Sequence, residues 1–218
     1  MLRVEGMTTT TTSSAAVQPT RRDWVRRLGS STFNYWFGYV ANVTLVIWLV
    51  GHAFAGGHAQ LSVAAFVSYA SVGLVSWTLS EWLLHRYVYH LWPSFLSEGH
   101  SFHHKSPRSL IGVPWYLTTI ALVAIYELAA HWLRPSSTGV VMGFNWLGYI
   151  LYCIAHHGSH HWATKNVWLK RMKRHHLIHH AYPEYNWGFT TPVWDYVFRT
   201  HYDRRPQAPA APSANGRS

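Results

Sequence analysis

The chain has 218 residues, enough for one domain with a sizeable core, and shows no internal repeat. It carries 17 histidines, 13 tryptophans and 13 tyrosines, and 18 lysines and arginines against 8 acidic residues give a formal net charge of +10. Such a charge on a chain with several apolar runs of bilayer length argues against a nucleic-acid binder and for anionic lipid headgroups, and the single cysteine, Cys153, excludes an internal disulfide and a multi-cysteine metal site.

Residues 1–30 read as a cytoplasmic N-terminal segment, disordered in part, with a threonine run from Thr8 to Thr12 and a basic cluster of Arg21, Arg22, Arg26 and Arg27. The opening stretch lacks the basic-then-apolar order of a secretory signal, and Met7 is an alternative start. Apolar runs follow at residues 34–55, 61–84, 110–133 and 138–155. As helices, runs of about 20 residues reach the roughly 30 Å thickness of a hydrocarbon core. The fourth run is the shortest, and its Gly139, Gly143, Asn145 and Gly148 suit a helix tilted, bent or shielded by its neighbours. Trp and Tyr in such numbers suit two membrane interfaces.

The connections 56–60 and 134–137 hold one basic residue, Arg134, whereas Lys105, Arg108, Lys165, Lys170, Arg171, Lys173 and Arg174 fall with the N-terminal arginines if there are four spans. The positive-inside rule then places both termini in the cytoplasm, and in a bacterium the protein would lie in the inner membrane. The expected fold is all-α and integral to the membrane. Four transmembrane helices within residues 31–203 carry a cytoplasmic, helical, His-rich di-metal region, and residues 204–218 form a disordered tail.

Most histidines fall in four short groups at the predicted cytoplasmic ends of the spans. They are His85 and His90 in HRYVYH; His100, His103 and His104 in HSFHH; His156 and His160 in HHGSHH; and His176, His179 and His180 in HLIHH. On an α-helix, residues three and four apart share a face, so each H-x2-HH triplet presents three imidazoles in one direction. His85 and His90 lie about 140° apart on an ideal helix, flanking one site or reaching toward different metals. Ten neutral imidazoles exceed the needs of one tetrahedral site, whereas two metals with four or five ligands each account for them. The Glu-x-x-His pattern of carboxylate-rich di-iron bundles is missing, so the site is nitrogen-rich. His52, His58, His131 and His201 read as structural, and His157, His161 and His175 stand beside proposed ligands.

The four motifs, in the order H-x4-H, H-x2-HH, H-x3-H and H-x2-HH, together with EWLLHRYVYH and GFTTPVWDYVF, resemble the fatty acid hydroxylase and sterol desaturase superfamily over roughly residues 76–202. The fatty acid 2-hydroxylase branch is nearest in look. The resemblance implies two iron ions on the ten histidines, with zinc able to replace them on purification. It also implies O2 as oxidant, two electrons from a cytochrome b5, ferredoxin or similar donor, and hydroxylation of a lipid acyl chain. Carotenoid ring hydroxylase and sterol oxidase or desaturase share the motifs, and the compact His90 to His100 interval is similar to that of carotenoid hydroxylases. A haem-binding electron carrier is a reading from another class, but its axial histidines belong on facing helices inside the membrane. Glu81, Glu184 and Asp195 lie near the motifs and are candidates to accept the second ring proton of a ligand.

Overall fold

The first apolar run forms α1, Thr32–Phe54, in the computed structural model of the protein, which describes residue 27 and residues 29–55 and 61–203. Helix α1 starts where the Ser31 side chain accepts from the Asn34 backbone N–H at 3.0 Å. Ser62 caps α2, Val63–Leu83, in the same way, and α2 runs on as a π-helix over Leu84–Leu91. A reciprocal Ser94–Ser97 capping box opens α3, Phe95–Lys105. Next come α4, Trp115–Trp132, and α5, Pro135–His161, with proline at its first position where a missing N–H costs nothing. Asn166 caps α6, Val167–Ala181, and the short α7 spans Val193–Val197. The described residues are helices and connections, with no strand among them. The expectations for the N-terminal segment before residue 27, His58 and the tail after residue 203 fall outside the described residues.

Among the described residues, three helices are long and apolar enough to cross a membrane: Thr32–Phe54, Val63–Leu91 and Pro135–His161. The run at 110–133 yields the 18-residue α4, about 27 Å long and carrying Glu127 and His131, which falls short of the other three. Outward positions are nonetheless apolar on α1, α2 and α4: Ile47 is 67% exposed, Val63 81% and Leu128 67%. Oily side chains facing outward are what a bundle surrounded by hydrocarbon requires.

Helix α5 lies at the centre, packed against α1, α2, α4 and α6. Its glycines permit this. A Cβ at Gly148 would stand 2.6 Å from the Trp77 ring of α2, and one at Gly139 would stand 2.6 Å from the Leu49 carbonyl oxygen of α1. Leu45, Leu49, Leu122 and Tyr126 form one buried cluster, and Ala53, Ala70 and Val140 form another. Polar cross-links complete the packing: Asn145 Nδ2 donates to Ser76 Oγ at 2.9 Å and Trp146 Nε1 to Asn42 Oδ1 at 2.8 Å.

The contacts also fix helix directions. Tyr35, early in α1, bonds His157, late in α5, while His52, late in α1, bonds Tyr126, late in α4. Thus α1 and α4 run together and antiparallel to α5. Trp77 packs on Tyr149 and Tyr152, so α2 runs with α5. The C-terminal ends of α2 and α5 therefore meet at one end of the bundle, where α3 and α6 lie.

Candidate metal centre

Ten histidines converge at that end in two clusters of five. His85, His90, His100, His104 and His179 make the first; His103, His156, His160, His176 and His180 make the second, with the ligand atoms of each cluster within 4.8 Å of one another. The clusters abut, with the His104 and His180 rings stacked at 4.3 Å.

Neither H-x2-HH triplet points in a single direction, which corrects the sequence expectation. On α3, His100 and His104 turn to the first cluster and His103 to the second; on α6, His176 and His180 turn to the second and His179 to the first. Residues four apart share a face, and the one between them looks sideways into the neighbouring site. A helix lying between two clusters uses both flanks.

His85 and His90 fall in the same cluster, with ring centroids 5.3 Å apart. The α-helical angle does not apply to them because Leu84–Leu91 is a π-helix, ending on an i→i+5 bond from Trp92 N–H to the Tyr87 carbonyl at 2.7 Å. The wider π turn brings residues five apart closer to one face than an α-helix does.

The ring nitrogens meet the requirements of a metal. His85 Nδ1–H donates to the Trp187 carbonyl at 2.6 Å and His179 Nδ1–H to the Tyr185 carbonyl at 2.7 Å. This leaves each Nε2 as a lone pair aimed into the first cluster. His100 Nε2 lies 3.1 Å from both His85 Nε2 and His104 Nε2, and His176 Nε2 lies 2.9 Å and 3.0 Å from His160 Nε2 and His180 Nε2. One N–H cannot serve two neighbours, whereas metal–nitrogen bonds of about 2.1 Å at right angles place adjacent nitrogens about 3.0 Å apart. The buried Nε2 atoms of His103 and His156 have no partner among the described residues. Five imidazoles per cluster also exceed the four ligands of structural zinc.

The segment after α6 sets the second ring nitrogens. Asn186 sits at φ 57°, a left-handed turn that Asn tolerates. Asp195, fully buried, accepts from Trp187 N–H at 2.9 Å, Gly188 N–H at 3.0 Å, Trp82 Nε1–H at 3.1 Å and Thr200 Oγ1–H at 2.7 Å, and it pairs with His175 Nε2 at 3.0 Å. Glu81 accepts from the backbone N–H groups of Phe189 and Thr190. Both carboxylates thus hold the loop whose Trp187 carbonyl orients His85, and no hydrogen bond joins either to one of the ten histidines. Glu184 is exposed. The Tyr185 and Trp187 carbonyls escape a reading of the sequence because every residue has one, and only the GFTTPVWDYVF resemblance marks the neighbourhood.

Burial disfavours the charged imidazolium, and neighbouring histidines add to the effect. His103 is lowered to about 2 and His104 to about 3, and His100, His176 and His179 lie well below their ordinary value. All five are neutral at physiological pH, as metal ligands must be.

A fatty acid hydroxylase family model matches residues 70–200, which hold all ten histidines. The chain belongs to the fatty acid hydroxylase family. Among its relatives are the Arabidopsis thaliana dihydroceramide fatty acyl 2-hydroxylase FAH2, 32% identical over 59% of this chain and 58% of that protein, and the rat fatty acid 2-hydroxylase, 30% identical over 63% of this chain and 40% of that protein. The match thus spans less than two thirds of either relative. In fold, the chain is similar to the solved hydroxylase domain of full-length scs7p, with a TM-score of 0.70 and 24% identity over 87% of this chain and 74% of that one.

In this member of the fatty acid hydroxylase family, a cavity of about 290 Å³ reaches both clusters, lined by His100, His103 and His156 together with Tyr39, Tyr149 and Tyr152. Aromatic rings steady the ligands: Tyr152 stacks on His156, Tyr89 on His100, and Phe189 stands edge-on to His156 and His176. His157 and His161 stack on each other at 4.2 Å, outside both clusters, with His157 Nδ1 bonded to the Tyr35 hydroxyl. His175 serves Asp195, and His52 serves Tyr126.

Proposed function

We propose that the chain hydroxylates the acyl chain of a membrane lipid at C2, the carbon next to the carbonyl, using two iron ions held by the two histidine clusters. The carrying observation is the pair of five-nitrogen clusters opening on one cavity. Relatives whose names specify fatty acyl 2-hydroxylation support the substrate class and position. Iron, when bound and reduced, supplies activation of O2 so that one oxygen atom enters a C–H bond and the other leaves as water. Zinc lacks redox chemistry and cannot do this, although the same imidazoles bind it.

The chain's own residues then have definite tasks. His85, His90, His100, His104 and His179 hold one ion, and His103, His156, His160, His176 and His180 the other. The Trp187 and Tyr185 carbonyls fix ring orientation, with Glu81 and Asp195 steadying the loop that bears them. The cavity walls keep water from the reacting carbon. Electrons come from an external cytochrome b5, ferredoxin or similar donor, for which Lys170, Lys173 and Arg174 on α6 offer a basic landing surface. Helix α4 is the fourth span, its outward Ile120, Ile125 and Leu128 facing lipid, and both termini lie with the metal centre in the cytoplasm.

Mass spectrometry of whole-cell lipids with and without expression tests the reading. The expected product is an acyl lipid heavier by one oxygen located at C2, together with about two irons per purified chain. An unchanged lipid profile from iron-loaded protein supplied with a reductase defeats it.

A further inference from the structure

On the wall of the cavity beside the histidines stands a residue with a buried polar atom to which neither the fold nor the metal centre gives a partner. Asn34 stands in the first turn of α1, 7% exposed, and lines the cavity. Its Oδ1 accepts from the Trp115 backbone N–H at 3.0 Å, serving the start of α4, where Pro114 has no side-chain cap to give. This bond fixes which way the amide points. Turned over, the amide would set its NH2 against the Trp115 N–H, donor against donor. Nδ2 is consequently the atom left buried with no partner among the described residues.

Asn42, Tyr35 and Tyr39, which line the cavity from the same helix, are occupied. Asn42 donates to the Gly38 carbonyl at 2.6 Å and accepts from Trp146. The Tyr35 and Tyr39 hydroxyls bond each other, and Tyr35 bonds His157. A buried N–H without an acceptor is costly in a well-packed interior, so its retention in a cavity wall calls for an acceptor brought by the ligand.

We propose that Asn34 is a specificity-determining residue whose Nδ2–H donates to the carbonyl oxygen at the head of the substrate. The cavity then prefers an acyl chain ending in an ester or amide over an ether lipid or plain hydrocarbon. The inference rests on the acyl-hydroxylase reading above and adds the group that recognises the head. Because His100, His103 and His156 line the same cavity, a carbonyl held at Asn34 fixes which methylene stands before the histidines.

Native mass spectrometry of the detergent-solubilised full chain can compare methyl stearate with methyl octadecyl ether, which differ by one carbonyl oxygen. Wild type is expected to bind the ester about five- to tenfold more tightly, the worth of one hydrogen bond. Asn34→Asp keeps an acceptor for Trp115 but removes the donor, and it is expected to lose that preference. Asn34→Ala removes the donor without adding charge and tests the same point should the aspartate variant fail to fold. In turnover, either variant should raise KM more than it lowers kcat and spread the new hydroxyl over neighbouring carbons, which a purely structural role would not do. Full ester preference in a folded variant, or no preference in wild type, overturns the inference. Neither result touches the hydroxylase reading, which the lipid analysis decides separately.

Discussion

The two histidine clusters have the same ligand number and near mirror-image use of their helices, yet they are supported differently. In the first, His85 and His179 are tied through Nδ1 to backbone carbonyls of the loop after α6, and Asp195 and Glu81 hold that loop. In the second, His156 and His176 lean on Phe189, His156 also on Tyr152, and the buried Nε2 atoms of His103 and His156 remain unpartnered. Hydrogen bonds fix tautomer and rotation together; ring packing fixes the plane and leaves the nitrogens to whatever binds between them. The first cluster is thus preorganised, and the second is the one that a bound metal would order more.

The largest effect should come from taking a ligand from either side. His179→Ala in the first cluster and His103→Ala in the second should each abolish lipid hydroxylation and lower bound iron, while the protein still inserts in membranes. Lipid mass spectrometry with iron analysis of the membrane fraction checks this, and full activity in either variant would sink the ligand set.

Asp195→Ala should separate the clusters. Stranding the donors that converge on this carboxylate costs on the order of 3 kcal/mol, and the loosened loop should weaken iron at the first cluster about 10- to 100-fold, with much less effect at the second. An iron titration resolved into two sites is the measurement. Equal weakening of both would mean that the loop supports the whole centre.

Acidification should distinguish the clusters least. Folded His103 and His104, one from each cluster, have pKa values lowered to about 2 and about 3 from an ordinary 6.5. The unfolded chain therefore takes up protons first as pH falls. The stability carried by these neutral rings is complete above 6.5 and is lost progressively from 6.5 downward toward 3. Thermal melting of metal-free protein should drop across that window, and a flat melting temperature from pH 7 to pH 4.5 would contradict the burial on which both clusters depend.

Much of this centre was legible in the chain. The ten histidines, their four groups at helix ends and the predominantly helical fold follow from composition and local spacing, since apolar run length and residues three or four apart are properties of one helix. Helices α1, α2 and α5 appear near the predicted runs, and the glycines of α5 mark close packing in the sequence and in the fold alike. Of the two placements the sequence leaves open for His85 and His90, the structure takes the shared site; the α-helical angle between them does not apply because the stretch is π-helical, and nothing in HRYVYH announces the change of pitch.

The sequence by itself determined which side chains can bind metal and toward which end of which helix they lie, because chemistry and helical phase are local. Tertiary structure decided how each H-x2-HH triplet divides between two clusters, which backbone carbonyls hold the rings, and that Asn34 keeps one donor free beside the cavity. Each of these depends on where α3, α6 and the loop after it dock against the bundle, a matter of contacts between residues far apart in the chain, such as His85 and Trp187 at 102 positions and Trp82 and Asp195 at 113. Spacing along one helix carries no information about such contacts.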